Sequence, residues 1–191
     1  MSNTELSHQG SPLQTMRAIV LSQPDEQIRL QDVEVDIPEC ADNELLVKLE
    51  YVGLNPADAY FAKTGFCKWQ YPHILGLDAV GVVVKANKGV FPGVGERVMW
   101  HANIGKQGVL SEYTTVPNFA VSVVPDGLCP AKAATLPCAG MAALISLDKI
   151  AITEGDQILI EGGSGAVGQF AIQYAKQRGA DVFTTASKRN H

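Results

Sequence analysis

The residues best placed to do chemistry are six in a row, Gly163-Ser164-Gly165-Ala166-Val167-Gly168, a complete G-x-G-x-x-G. They follow Ile158 to Ile160, a short apolar, β-branched run with the composition of a buried parallel strand. They open a stretch from Ala166 to Lys176 in which Val167, Phe170, Ala171 and Tyr174 recur at helical spacing. Strand, glycine turn and helix in that order are the context in which the motif cradles a dinucleotide. Gly163 is then expected to permit the tight turn, Gly165 to admit a pyrophosphate to the backbone, and Gly168 to let helix and strand pack closely. The N–H groups and dipole at the helix start would hold the phosphates. Two rival chemistries fail on residue type. A Walker loop needs Lys and then Ser or Thr after its last glycine, where Gln169-Phe170 stand, and a nucleophile elbow needs glycine where Ala166 stands.

The second strand of such a unit, expected over Asp181 to Ala186, decides between cofactors. NAD sites place an acidic side chain at that strand's far end, where it binds the ribose 2′-hydroxyl. Here Asp181 sits at the near end, and Ser187, Lys188 and Arg189 follow the far one. A hydroxyl and two cations suit a 2′-phosphate through charge-assisted hydrogen bonds, so NADPH is the expected cofactor.

The rest of the chain must position this cradle and bring a substrate to it. At 191 residues and 46% hydrophobic, the chain has room for one domain and part of another. A net charge of −5 without a basic block argues against nucleic acid or an anionic membrane surface as partner. The sequence has no apolar run of spanning length and no secretory signal at its start, and Cys40, Cys67, Cys129 and Cys138 lack regular spacing. A cytoplasmic protein with reduced thiols is expected. Residues 1–15 read as a polar, disordered tail. Strands are expected at Met16–Leu21, Val33–Ile37, Leu45–Val52, Ala79–Val84, Arg97–Trp100 and Leu110–Val116, with turns between them, which indicates a mainly β, barrel-like domain over 16–125. Alanine-rich helices at Ala131–Leu136 and Gly140–Ile150 then begin a second domain over 126–191, with the boundary near Pro125.

Taken in order, Val52-Gly53-Leu54-Asn55-Pro56-Ala57-Asp58-Ala59-Tyr60, Leu75-Gly76-Leu77-Asp78-Ala79-Val80-Gly81-Val82-Val83, Gly95-Glu96-Arg97-Val98, Leu136-Pro137-Cys138-Ala139-Gly140 and the glycine loop resemble the medium-chain dehydrogenase/reductase superfamily. The likeness runs from Met16 to the end and is to the zinc-independent quinone oxidoreductase branch. It implies an α/β chain: a GroES-like β-barrel bearing the substrate site, then the first βαβ unit of a truncated Rossmann domain. In that branch an Asn and a Tyr lie beside the nicotinamide, and the matching positions are Asn55 and Tyr60. A family threonine that faces the nicotinamide is missing, since Met141-Ala142-Ala143 follows Gly140.

In the zinc-dependent alcohol dehydrogenases of the superfamily, the resemblance places three ligands at Asn55, Leu77 and Cys138. Leucine cannot bind zinc and a neutral amide binds it poorly. Cys138 with Asp78 nearby would not complete a site, so no metal is expected. His73 and His101 have no visible partner and read as loop or surface residues. The expected activity is NADPH-dependent hydride transfer to a quinone or an α,β-unsaturated carbonyl. An alcohol dehydrogenase and a non-catalytic nucleotide-binding fragment are the alternatives. The longer relatives could form homodimers. With one strand–helix–strand unit, the chain is expected to be truncated and inactive, with Phe170, Ala171 and Tyr174 poorly covered.

Overall fold

The computed structural model describes residues 15–65 and 68–190. The tail expected before Met16 lies outside the described residues, except for Thr15, which opens the first strand. In chain order the elements are β1 (Thr15–Leu21), β2 (Leu30–Asp36), β3 (Glu44–Gly53), α1 (Pro56–Thr64), β4 (His73–Ile74), β5 (Asp78–Lys85), β6 (Arg97–His101), β7 (Tyr113–Pro117) and β8 (Ser122–Val123). There follow α2 (Pro130–Ala133), α3 (Pro137–Lys149), β9 (Gln157–Ile160), α4 (Ala166–Gln177) and β10 (Asp181–Thr184).

The first part is mainly β, as its alternation implies, but its sheets are open and do not close into one barrel ladder. A three-stranded sheet runs β2-β1-β4 and a five-stranded sheet runs β7-β3-β5-β6-β8. Residues 110–112, expected as the start of a strand, instead stitch the two together. Leu110 donates to the Leu75 carbonyl while its own carbonyl accepts from Ile19, and Glu112 bonds to Arg17 on one side and Leu49 on the other. A segment that splits its backbone bonds between two sheets belongs to neither, so β7 begins only at Tyr113.

β5 is the central strand, and both of its faces are covered. Ala79 and Val83 join Leu45, Val47, Val98, Trp100 and Val116 in the main core. Val80 points the other way and packs with Val124, Ala133 and Ala134. Each large apolar side chain among these, fully buried, contributes about 1.5–3 kcal/mol. Gly53, at the end of β3, explains how α2 comes so close. A Cβ there would lie 2.1 Å from the Ala134 carbonyl oxygen, so only glycine lets the helix rest on the strand.

The second part is a layer of α3 and α4 against the parallel pair β9–β10. Pro137 suits the first turn of α3, where its missing N–H costs nothing. Ala139, Ala143 and Leu147 then recur every four residues along the buried face. Ala143 and Leu147 meet Ala171 and Ala175 of α4. The stripe on α4 is therefore better covered than its spacing implied: Ala171 is buried, and Phe170 and Tyr174 pack at the margin of the cluster. Val167, assigned to the same stripe, is exposed, as are Leu159 and Phe183 on the small sheet. Among the described residues no helix is long and apolar enough to cross a membrane.

Candidate active site

Three strand ends and two helix starts converge on Asp78. It is the first residue of β5, and the ladder pairs it with Gly53 at the end of β3 and with His101 at the end of β6. Asp78 is 1% exposed, so its carboxylate must be fully hydrogen-bonded to be tolerated. Its Oδ2 accepts from the Asn55 amide at 3.0 Å and from the Cys138 backbone N–H at 3.1 Å. Its Oδ1 lies 2.8 Å from Nδ1 of His101. Cys138 stands in the first turn of α3, where a negative charge is favoured by the helix dipole.

Asn55 caps α1 just before Pro56. Its backbone N–H donates to the Asp58 carboxylate at 2.7 Å. Burial raises the Asp58 pKa above the usual carboxylate value, opposed by that N–H and assisted by repulsion from Asp78. The Cys138 thiol is also pushed up, by burial first and then by Asp78 and Asp58. The site thus gathers two carboxylates and a thiol around one imidazole.

This arrangement corrects the expectation for both histidines. His101 is not a partnerless surface residue but the third member of the Asp78 cluster. His73, in β4, is 4% exposed and stacks on Trp69 with ring centroids 4.0 Å apart and planes at 8°. Burial lowers its pKa to about 4. Neither placement was readable locally, because each depends on which strand ends the ladder brings together. The strand over Arg97–Trp100 followed directly by a histidine, and the Asp that opens the β5 pattern, were the available signals. Ligand-type residues at this point are accordingly three where two were foreseen: a carboxylate oxygen of Asp78, a ring nitrogen of His101 and Sγ of Cys138 lie within 4.8 Å of one another. Leu77 is buried, and its carbonyl accepts from Ala102.

Tyr60 lies on α1, five positions beyond Asn55 and roughly 140° further round the helix. It is 54% exposed and meets Phe61 edge-on. Tyr60 thus sits within the second turn of that helix. Ala142, where the family threonine is missing, is half-buried on α3.

The glycine loop joins β9 to α4 and shows why its residues are small. Gly162, before the motif, takes the left-handed turn with φ +72°, a task the spacing had assigned to Gly163. Gly163 is required for another reason: a Cβ there would fall 2.0 Å from Oγ1 of Thr184. At Gly168 a Cβ would sit 2.4 Å from the Gly162 carbonyl oxygen and 2.7 Å from Gly163 Cα, which is the close helix packing expected. At Gly165 the nearest atom would be the Gly162 oxygen at 3.3 Å, so that glycine is not demanded by the fold itself. It leaves backbone open at the start of α4, and Ser164, Gly165, Ala166 and Val167 are all exposed. Exposed backbone at a helix start is the setting in which a phosphate can be held.

The end of β10 comes to the same place. Thr185 bonds through its hydroxyl and its carbonyl to the backbone N–H groups of Gly162 and Gly163, at 3.1 and 3.0 Å. Ser187, Lys188 and Arg189 are exposed in the turn that follows. Asn190, not singled out in the sequence, donates to the Ser164 hydroxyl at 3.3 Å and ties that turn to the loop. Asp181 pairs with Gln157 at the opposite end of the strands.

The fold is a mainly β, GroES-like domain ahead of a strand–helix–strand unit that carries the glycine loop. Residues 41–126 match the alcohol dehydrogenase GroES-like domain family, and the relatives of the chain are members of the medium-chain dehydrogenase/reductase superfamily. Its relatives there include enoyl reductases and quinone oxidoreductases. Trans-enoyl reductase tazE of Aspergillus terreus is 35% identical over 173 residues, covering 81% of this chain and 57% of that protein. The quinone oxidoreductase of Coxiella burnetii matches with a TM-score of 0.85 at 35% identity, over 93% of this chain and 58% of that one. The quinone oxidoreductase of Thermus thermophilus, solved also with NADPH, gives 0.77 at 30%, over 91% and 54%. The chain spans about half the length of the curated relatives it matches.

Proposed function

We propose that this chain forms the substrate domain and the adenosine-phosphate corner of an NADPH-dependent reductase that passes hydride to a quinone or an α,β-unsaturated carbonyl. The observation that carries the cofactor choice is the Asn190–Ser164 bond, which ties the turn bearing Ser187, Lys188 and Arg189 to the glycine loop, while Asp181 opens β10 at the other end of the strand. The nicotinamide supplies the hydride; the chain's residues bind, orient and stabilise. Oxygen that gains charge as hydride arrives needs a donor. Asn55 spends one of its two amide N–H groups on Asp78, which fixes the plane of the amide and leaves the second for substrate or cofactor. Tyr60, exposed on α1, offers a phenol as the second donor. The quinone oxidoreductase and enoyl reductase relatives favour the acceptor class.

The test uses the chain itself, with 2′-phosphorylated and unphosphorylated adenine nucleotides titrated in parallel. NADPH and adenosine 2′,5′-bisphosphate should bind more tightly than NADH and AMP. Lys188→Ala or Arg189→Ala should each remove about 1.5–3 kcal/mol of that preference. Equal affinities for NADPH and NADH in the parent chain overturn the cofactor assignment.

A further inference from the structure

We propose that the cavity between the β1–β2 pair and the segment 105–111 binds one medium-chain alkyl carboxylate. Its volume is about 750 Å³, within the size range of small-molecule sites. Asn55, Tyr60, Asp78 and the glycine loop have no part in its wall, so it is a second place, apart from the site described above. Its floor is aliphatic: Met16, Val20 and Ile74 belong to one buried cluster, and Val35 packs against them. Trp69 and His73 border it as well, but they are already stacked face to face. The free apolar surface therefore suits an alkyl chain better than a flat ring.

Most polar groups of the wall are held by the protein itself. Trp69 Nε1 donates to the Ile104 carbonyl at 2.7 Å, and Oε1 of Gln107 accepts from the Ile74 N–H at 2.6 Å. The Ser111 hydroxyl donates to the Tyr113 carbonyl at 2.8 Å. These bonds fix the wall in advance and leave little for a ligand to reorder. His73 differs: it is buried, and among the described residues no hydrogen bond reaches its ring. Held neutral by burial, it keeps one N–H to donate.

Charge gives the ligand its head and its direction. Lys68 precedes Trp69, and Lys106 precedes the Gln107 that holds Ile74, so both lysines mark the end of the cavity where β4 meets Val20. Among the described residues Lys68 has no ion-pair partner, and Lys106 reaches Glu44 only at 3.5 Å. Asp36, the carboxylate of the wall, stands at the opposite end, where the ladder pairs it with Thr15. An anion is thus drawn to the lysine end and repelled from the other. The backbone of Lys68 is left-handed, with φ +49°, a costly conformation for a lysine and of the kind that gathers at binding sites. From Met16 to Val20 β1 runs about 13 Å, which an extended chain of roughly eight to ten carbons spans. The carboxylate takes a charge-assisted bond from Lys68, with Lys106 and His73 in support, while the chain lies along Val20, Val35 and Met16. The site stands independently of the nucleotide assignment.

Octanoate titrated into the 191-residue chain tests this without any turnover. Calorimetry should find one saturable site per chain, and the emission of Trp69 should shift while Trp100, buried in the main core, stays constant. Octanol and octylamine should bind at least about 10-fold more weakly than octanoate. Lys68→Met should weaken octanoate by roughly 10–100-fold and leave octanol unchanged. Val35→Trp, which fills the cavity, should abolish both, and Lys85→Ala, at the exposed end of β5, should change neither. Circular dichroism checks that each variant is folded, and if Val35→Trp is not, Val35→Met replaces it. No saturable site at millimolar octanoate, equal binding of the three probes, or binding that survives filling of the cavity overturns the proposal.

Discussion

Asp78 is the residue whose loss should be felt most, and two substitutions separate its charge from its shape. In Asp78→Asn the amide oxygen must take the Oδ2 place, because Asn55 and the Cys138 N–H both donate there. The NH2 group then falls at the Oδ1 place, 2.8 Å from Nδ1 of His101. His101 can adapt by presenting a lone pair at Nδ1, so every partner stays bonded. What is lost is charge assistance in three bonds, about 1 kcal/mol each, partly offset because a neutral amide is easier to bury. The net expectation is a loss of about 1–3 kcal/mol.

Asp78→Ala is a different perturbation. It orphans the Asn55 amide, the Cys138 N–H and His101 together, and removing one member of a buried charged network typically costs about 3–5 kcal/mol. Urea unfolding at pH 7 with chelator present, followed by circular dichroism, measures both variants against the parent. The slope with denaturant should be unchanged, so that midpoints compare directly. If Asp78→Ala lies within about 1 kcal/mol of the parent, the three bonds do not carry the weight given to them here. If it is more stable than Asp78→Asn, the carboxylate is a strained functional group and not a structural hub.

Two further expectations follow from the geometry. With its pKa lowered from 6.5 to about 4, His73 is neutral in the fold and takes up a proton more readily once unfolded. Stability should therefore be full above pH 6.5 and fall as pH drops toward 4, by at most about 3 kcal/mol, with the Trp69 stack reducing the loss; His73→Phe should flatten that slope in urea midpoints taken across the same range, and an unaltered slope refutes the assignment. In the glycine loop, Gly168→Ala should cost about 1–3 kcal/mol of stability through its backbone clashes, whereas Gly165→Ala should stay within about 1 kcal/mol of the parent yet weaken NADPH binding; equal effects of the two on stability would contradict the separate roles.

Much of the scaffold was legible because its signals are local. The unbroken apolar run of β5, the alternation in β2 and β3, and the strand–glycine–helix order at β9 and α4 each follow from side-chain period and turn chemistry. What escaped depends on contacts between distant segments. His101 looked partnerless because its partner, Asp78, is brought to it by an antiparallel register that no window of sequence contains. The barrel expectation failed at residues 110–112, which read as the start of a strand over Leu110–Val116 but divide their backbone bonds between two sheets. Gly162 escaped because four glycines fall within seven residues, and spacing alone does not say which takes the left-handed turn. The cover on α4 was underestimated because Ala143 and Leu147 lie outside the motif they serve.

The join between the two parts of the chain explains why so few residues matter to the site. α2 rests on Gly53 at the end of β3, and α3 begins shortly after α2 ends. The first turn of α3 is thereby delivered to Asp78, where the Cys138 N–H is taken up. Further along the same helix, Ala143 and Leu147 form the floor on which α4 packs, and α4 begins at the glycine loop. One helix thus fixes the glycine loop by its apolar face and the Asp78 cluster by its N-terminus. An error in seating α2, such as a side chain at residue 53, would pass down α3 to both. The absence of a side chain at Gly53 is accordingly as much a part of the site as the carboxylate it faces across the ladder.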